Sequence, residues 1–324
     1  MAMSVLFAVA AGPRVGFGHL ARCRALARAM RVRLLMAVRG TPATCRTARE
    51  LGATVVTNGT RALARIRPDL LIVDDPCSDA GARWVNQARQ HGIAVASIHD
   101  LGRGYLRSDL VIDGTLMAHR STRMRSLTGP QFAILDPSFA GRVAARRIAG
   151  RVVIALGGGV HVRRFAAALV SRIIHGAPRA TVVVAAGFSR GPRPSLPTSA
   201  RWIDATDLAA ELARASVAVL GGGITLYEAS VLGTPLVALA VTHAQRRTIR
   251  AFAREGALID AGLAGTAGFD RRVSAGVTRL LTAPSQARAM GARARRLVDG
   301  RGAHRVADEL VNLAGRTEES SHAA

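Results

Sequence analysis

The sequence predicts an α/β fold built as two parallel-sheet halves, and three observations carry that expectation. Short apolar runs alternate with amphipathic stretches along most of the chain. Glycine-rich turns follow three of those runs, at "GPRVGFG" and twice at "LGGG". The order of run, glycine turn and helix then starts afresh near residue 150, after "FAGRVAARRIAG", which lacks strand character.

In the first half, "SVLFAVAAG" (Ser4 to Gly12) is a continuous apolar run, as expected of a strand buried on both faces. The helix after Gly18 places Leu20, Cys23, Ala27 and Met30 on one face and most of its arginines elsewhere. "VRLLMAV" reads as a second strand and residues 41–51 as a second helix. "ATVVT" and "DLLIVDD" follow as strands, then a helix from Ser78 to His91, then the strands "IAVASIHD" and "DLVID".

The second half opens with "GRVVIALGGG" (Gly150 to Gly159), a helix over 161–175 and the strand "TVVVAAG". A Pro-rich surface loop, "SRGPRPSLPTS", leads to a short helix from Asp207 to Arg214. "SVAVLGGG" (Ser216 to Gly223) is a strand ending in glycines, followed by a helix from Ile224 to Leu232. "TPLVALAV", a helix after His243, and helices near 269–282, 284–297 and 302–314 complete the series. The expected domains are therefore 1–145 and 146–314, with 315–324 as a polar tail. Two Rossmann-like halves facing each other across a cleft is the predicted architecture, with ligands at the carboxyl ends of the strands.

Composition narrows the function classes. A chain of 324 residues, 49% hydrophobic and 20% charged, has the apolar content for two ordinary cores. The net charge of +24 comes from 45 basic residues, every one an arginine. That balance favours anionic partners: phosphates, nucleic acid, or an acidic membrane surface touched peripherally. The arginines are scattered along the chain and form no concentrated stripe, so no specific nucleic-acid binding is expected. The absence of lysine excludes a Schiff-base or Walker lysine. Cys23, Cys45 and Cys77 are odd in number, far apart and without metal-ligand spacing. No metal and no cofactor is expected, and a cytoplasmic location suits these thiols.

The glycine turns carry the chemistry. In "GGGITLYE", Gly222 and Gly223 allow close backbone approach to a phosphate. The helix opening at Ile224 and Thr225 offers free N–H groups and a positive dipole end. Glu228 lies one turn further on, where a carboxylate could accept bonds from a ribose diol. A tight strand–helix turn with a core-facing glutamate is the competing reading. Gly158 and Gly159 repeat the device after the second half's first strand, where Arg163 or Arg164 could neutralise a diphosphate. Neither turn has the spaced glycines and distal acid of a dinucleotide fingerprint, so a nicotinamide-dependent oxidoreductase is the weaker enzyme reading.

"GFGHLARC" places His19 at the start of a helix, behind Gly16 and Gly18. Imidazole is the side chain best matched to proton transfer near neutral pH. Arg22, one turn later, could hold an anion or a carboxylate. A histidine that merely caps its helix remains the alternative.

"GFGHLARC" resembles the G-x-G-H-x-x-R-C element of the UDP-2,4-diacetamido-2,4,6-trideoxy-β-L-altropyranose hydrolases, relatives of spore-coat polysaccharide proteins and MurG-type glycosyltransferases. "LLIVDD", "IHDLGRGYLRSDLVIDGTL", "TGPQFAILDPSFA", "VVIALGGG" and "LGGGITLYEASVLGTPLVAL" resemble further motifs of that family, in the same order. The resemblance implies a GT-B fold with UDP held mainly by the C-terminal domain and no metal in the reaction. It also implies that His19 activates water against the anomeric carbon, expelling UDP and freeing the sugar. By the same resemblance Glu228 matches an acid that holds uridine ribose, and Gln245 matches a glutamine that follows an asparagine.

The sequence departs from the family pattern at four places. Ala244 stands for that asparagine, Pro76 for a tyrosine, and Asp136 and Ser138 for an arginine and a glutamate. A UDP-sugar hydrolase is the leading expectation. A glycosyltransferase passing the sugar to a sugar or glycan acceptor is the alternative. A nucleotide-sugar-binding accessory protein without turnover is the third.

Overall fold

In a computed structural model the chain forms two compact units, residues 1–140 with 300–324 and residues 141–299. The structure describes residues 3–322 except 14, 58, 60, 103, 121, 123, 143, 144, 159, 160, 189, 190, 205 and 207, with side chains through 315.

The first unit is built on β1 (Val5–Ala10), α1 (Gly18–Met30), β2 (Leu35–Arg39), α2 (Pro42–Glu50), β3 (Thr54–Val56), α3 (Arg61–Ile66) and β4 (Leu70–Asp74). It continues through α4 (Ser78–Gln90), β5 (Ala94–Ile98), β6 (Leu110–Asp113) and β7 (Ser126–Thr128). All seven strands pair in parallel, in the order β3-β2-β1-β4-β5-β6-β7. Every residue of β1, β4, β5 and β6 is buried, which is why these strands read as unbroken apolar runs. Leu6 and Ala8 face the cluster that holds Trp84, Val85 and Ala88 of α4. Helix α2 starts where Pro42 follows Thr41, whose hydroxyl accepts the Thr44 N–H at 3.3 Å.

The second unit contains β8 (Arg151–Ala155), α5 (His161–Gly176), β9 (Thr181–Ala185), β10 (Ala200–Ile203), α6 (Leu208–Arg214), β11 (Val217–Leu220) and α7 (Ile224–Val231). It closes with β12 (Leu236–Ala240), α8 (Gln245–Arg254), β13 (Ile259–Leu263), α9 (Phe269–Thr282) and α10 (Pro284–Leu297). Its six parallel strands run β10-β9-β8-β11-β12-β13. Val152, Ile154, Val217 and Val219 pack with Leu169 and Ile173 of α5 and Val277 of α9 in one buried cluster. Burial of side chains of this size stabilises a fold by roughly 1.5–3 kcal/mol each.

Both sheets reverse direction of growth at one point, between β1 and β4 in the first unit and between β8 and β11 in the second. In open parallel sheets that point, at the carboxyl ends of the strands, is where ligands bind. The three glycine turns follow β1, β8 and β11. They stand at both switch points.

Several elements differ from the expectation. The sequence reading left out α3, β7, β10 and β13, which are short or interrupted by polar residues. The last helix, α11 (Gly302–His322), belongs with the first unit and not with the second, where residues up to 314 had been placed. Its apolar face buries Ala303, Val306, Ala307 and Leu310. Gly302 lets it seat on the backbone of the first unit, since a Cβ there would fall 2.2 Å from the Ala133 carbonyl oxygen. The segment expected as a tail from residue 315 continues this helix to His322. No helix among the described residues is long and apolar enough to cross a membrane.

Candidate functional site

After β1 the chain folds into a narrow loop. The Gly16 N–H donates to the Gly12 carbonyl at 2.6 Å, and the Gly12 N–H donates back to Gly16 at 3.0 Å. Both residues have positive φ, 146° and 100°, which glycine adopts without strain. Gly18 is then the first residue of α1 and His19 the second. The tight turn thus delivers an imidazole to the carboxyl end of the sheet.

The His19 ring does not cap its helix. Its Nδ1 lies 2.7 Å from Oδ1 of Asp74, the last residue of β4. Arg22 clamps the same carboxylate from the side, with Nε on Oδ2 and Nη2 on Oδ1, each at 2.5 Å. A second fork joins Arg22 to Asp100, with Nη1 on Oδ1 at 2.8 Å and Nη2 on Oδ2 at 3.2 Å. Sequence reasoning offered Arg22 to an anion or to a carboxylate, and the second use is the one seen. The structure commits it to two carboxylates.

Asp74 is fully buried. Burial opposes its ionisation, but the Arg22 charge, then His19, and the hydrogen bonds from both hold the carboxyl well below the usual carboxylate range. Burial likewise opposes the Arg22 charge, and Asp100 and Asp74 outweigh it, raising the guanidinium above its ordinary value. The ionised carboxylate fixes the tautomer of His19. Nδ1 carries the proton and donates it to Oδ1, and Arg22 Nη2, 3.0 Å from Nδ1, donates to the same oxygen. Among the described residues nothing engages Nε2, which is left as the proton acceptor.

The neighbouring strand ends add a second layer. His99 follows β5, and its Nε2 lies 2.8 Å from the Ser97 hydroxyl and accepts the Leu106 N–H at 3.3 Å. Burial lowers its pKa to about 4, against the pull of Asp100 and Asp74. Asp113, at the end of β6, accepts from the Gly102 N–H at 2.7 Å and the Thr115 hydroxyl at 2.6 Å. Burial pushes its carboxyl up. The Tyr105 phenol donates to Asp113 at 3.2 Å, and burial with that charge pushes the phenol up to about 12.

In the second unit the two glycines expected to approach a phosphate sit in different surroundings. A Cβ on Gly222 would stand 2.9 Å from both Cβ and the carbonyl oxygen of Gln245, so this glycine admits helix α8. The Gly222 N–H donates to Gln245 Oε1 at 3.2 Å, and Val241 N–H donates to the same oxygen at 3.0 Å. Gln245 therefore ties the loops after β11 and β12 together. Gly223 differs: a Cβ there meets nothing within 4 Å, and no side chain caps α7. Ile224, Thr225 and Glu228 are each partly exposed along the first turns of that helix.

Gly158 is half-buried, and a Cβ on Gly187 would lie 2.9 Å from its Cα, so the loops after β8 and β9 touch. Gly159 lies outside the described residues. In the first turn of α5, Nε and Nη1 of Arg163 are buried with no hydrogen-bond acceptor among the described residues. Burial, and after it Arg193, lowers the pKa of that guanidinium. Buried donors without acceptors mark a place where an anion would be stabilised.

Of the positions that depart from the family pattern, two have structural uses. Asp136 accepts the Ser138 N–H at 3.0 Å and pairs with Arg28 of α1 at 2.7 Å. The residues that sequence reasoning passed over are Asp74, His99 and Asp100. Their signal was positional, since each closes or follows a strand beside the switch point.

The fold is that of GT-B glycosyltransferases, two parallel-sheet Rossmann-like domains. The spinosyn forosaminyltransferase SpnP superposes with a TM-score of 0.70 and 19% identity, over 97% of this chain and 100% of that one. The spinosyn rhamnosyltransferase SpnG complexed with thymidine diphosphate gives 0.66 and 16%, over 94% and 100%. In sequence, the chain is 34% identical over 107 residues to the spore coat polysaccharide biosynthesis protein SpsG of Bacillus subtilis (strain 168). That match covers 33% of this chain and 31% of SpsG. No protein-family model matches the chain.

Proposed function

We propose that the protein transfers a sugar from a nucleoside-diphosphate sugar to an acceptor hydroxyl, with His19 as the general base. The observation that carries this reading is the 2.7 Å bond from His19 Nδ1 to a buried carboxylate that Arg22 locks in place. It presents Nε2 as a proton acceptor of fixed tautomer and orientation. In the reaction Nε2 takes the acceptor's hydroxyl proton. The acceptor oxygen bonds to the anomeric carbon, and the carbon–oxygen bond to phosphate breaks, with its electron pair leaving on the nucleoside diphosphate. Asp74 stabilises the imidazolium that forms.

The second unit is assigned the leaving group. The uncapped start of α7 at Gly223, Ile224 and Thr225 suits a phosphate, and the Arg163 donors that have no acceptor among the described residues suit its charge. Stabilising charge as it develops on the diphosphate is the larger part of such catalysis. Glu228 is assigned to the ribose hydroxyls, Gly158 and Gly159 to the phosphate loop, and Gln245 to holding that loop in shape. UDP is the nucleotide the ordered motifs favour. The support from similar proteins is that the superposable SpnG was solved with thymidine diphosphate.

Hydrolysis is the second reading, and the resemblance of "GFGHLARC" around His19 is what supports it. Water then takes the place of the acceptor hydroxyl, with the same base and leaving group. The deciding experiment is a screen of UDP- and TDP-linked sugars, following nucleotide release with and without hydroxyl acceptors. Acceptor-dependent release supports transfer, and equal release in water alone supports the hydrolase. Nucleotide binding without release from any sugar would replace both with an accessory binding role.

A further inference from the structure

We infer that the His19 site selects neutral or amino-bearing sugars over anionic ones, and that Asp100 sets this preference. The inference rests on the proposed role of His19 as the base beside the transferred sugar. It starts from a charge imbalance. Arg22 is one cation forked to two carboxylates, Asp74 and Asp100. The base enters the reaction uncharged. One negative charge is therefore left over.

That charge sits at the accessible end of the network. The Asp74 side chain is 1% exposed, whereas the Asp100 side chain is 46% exposed. Arg22 holds both Asp100 oxygens, and among the described residues no other group engages them, so their remaining lone pairs can accept from hydroxyl or ammonium donors. His99, neutral near pH 7 because of its burial, adds no compensating cation. Asp113 has no cationic partner among the described residues either.

Two other arginines of the first unit have carboxylate partners of their own. Arg39 forks onto Asp75 at 2.5 and 2.7 Å, and Arg28 pairs with Asp136 at 2.7 Å. Among the described residues no free cation serves Asp100. In a chain of net charge +24, a locally negative site is the opposite of what its composition supplies. A sugar carboxylate placed here would meet the excess negative charge of two carboxylates sharing one guanidinium, whereas hydroxyls or an ammonium group would gain an acceptor.

The test compares UDP-glucosamine, UDP-glucose and UDP-glucuronate by kcat/KM for UDP release, in the wild type, Asp100→Asn and Asp100→Glu. The wild type is expected to disfavour the glucuronate by about tenfold or more relative to glucose. Asp100→Asn should shrink that gap about tenfold, and Asp100→Glu should restore it. Equal use of glucuronate and glucose, or an unchanged ratio in Asp100→Asn, overturns the inference. A separate readout keeps it distinct from the proposed function. The His19 ring resonances are followed by NMR while free glucosamine or glucuronate is added. Release from none of the sugars defeats the proposed function alone. The charge inference then stands if glucosamine shifts His19 at lower concentration than glucuronate, and falls if the order is reversed, equal or absent.

Discussion

His19 and Asp74 meet at 2.7 Å although 55 residues separate them in the chain. One begins the helix after β1 and the other ends β4, the two strands between which the sheet order reverses. The switch point is the place in such a sheet where two independent loops come close enough to share a proton. Arg22 makes the contact durable, because its planar fork fixes both carboxylate oxygens.

Removing that fork should therefore be visible in the pH–rate profile. In Arg22→Gln the Asp74 carboxyl loses its main neighbouring cation, so its pKa rises and the acid limb of activity moves to higher pH. Arg22→Lys keeps a charge without the fork. It is expected to fall between Arg22→Gln and the wild type, with turnover reduced roughly 10- to 100-fold. An unmoved acid limb in Arg22→Gln would assign Arg22 a purely structural role.

Glu228→Ala is expected to weaken nucleotide binding by about tenfold, the scale of one lost charge-assisted hydrogen-bond pair. Calorimetric titration with UDP measures this directly. Turnover at saturating substrate should change little. An unaltered affinity would return Glu228 to the role of a helix residue.

His99 makes stability depend on pH with a definite sign. Its folded-state pKa is about 4 against an ordinary 6.5, so between those values the unfolded chain holds the proton and the folded chain does not. Stability is present above about 6.5 and is lost as pH falls toward 4, by up to about 3 kcal/mol. Asp113, raised by burial, acts in the opposite sense. Denaturant melts at a series of pH values should show a shallower slope in His99→Gln than in the wild type. Equal slopes would contradict the burial argument.

Gly302→Ala tests the seat of the last helix. The added methyl carbon would overlap the Ala133 carbonyl, so the backbone must shift. A loss of about 1–3 kcal/mol is expected, read as a lower denaturant midpoint with an unchanged slope. A midpoint equal to that of the wild type would show that the helix end is loosely seated.

Much of the fold was legible because the central strands are buried on both faces and read as plain apolar runs. Elements at the sheet margins were harder. β10 spells "ARWI", with an arginine exposed at its edge, and no period-2 pattern announces it. The return of α11 to the first unit depends on a contact between Gly302 and Ala133, and nothing local records that. His19 was legible from its glycines. Its partner was not, because an aspartate ending a strand becomes an acceptor for a distant imidazole only once the sheet order is known. The glycines of the second unit carried a mixed signal: Gly222 admits Gln245, and Gly223 faces open space. One triplet serves packing and access together.

The account stands most directly on a double-mutant cycle of turnover with His19→Ala, Asp74→Asn and the two combined, with nucleotide affinity measured alongside. If Asp74 acts through the imidazole, each single change should cost about 10²- to 10⁴-fold in turnover. The double variant should then be no slower than His19→Ala, and nucleotide affinity should stay unchanged throughout. Losses that multiply in the double variant, or an Asp74→Asn protein that turns over at the wild-type rate, would contradict it.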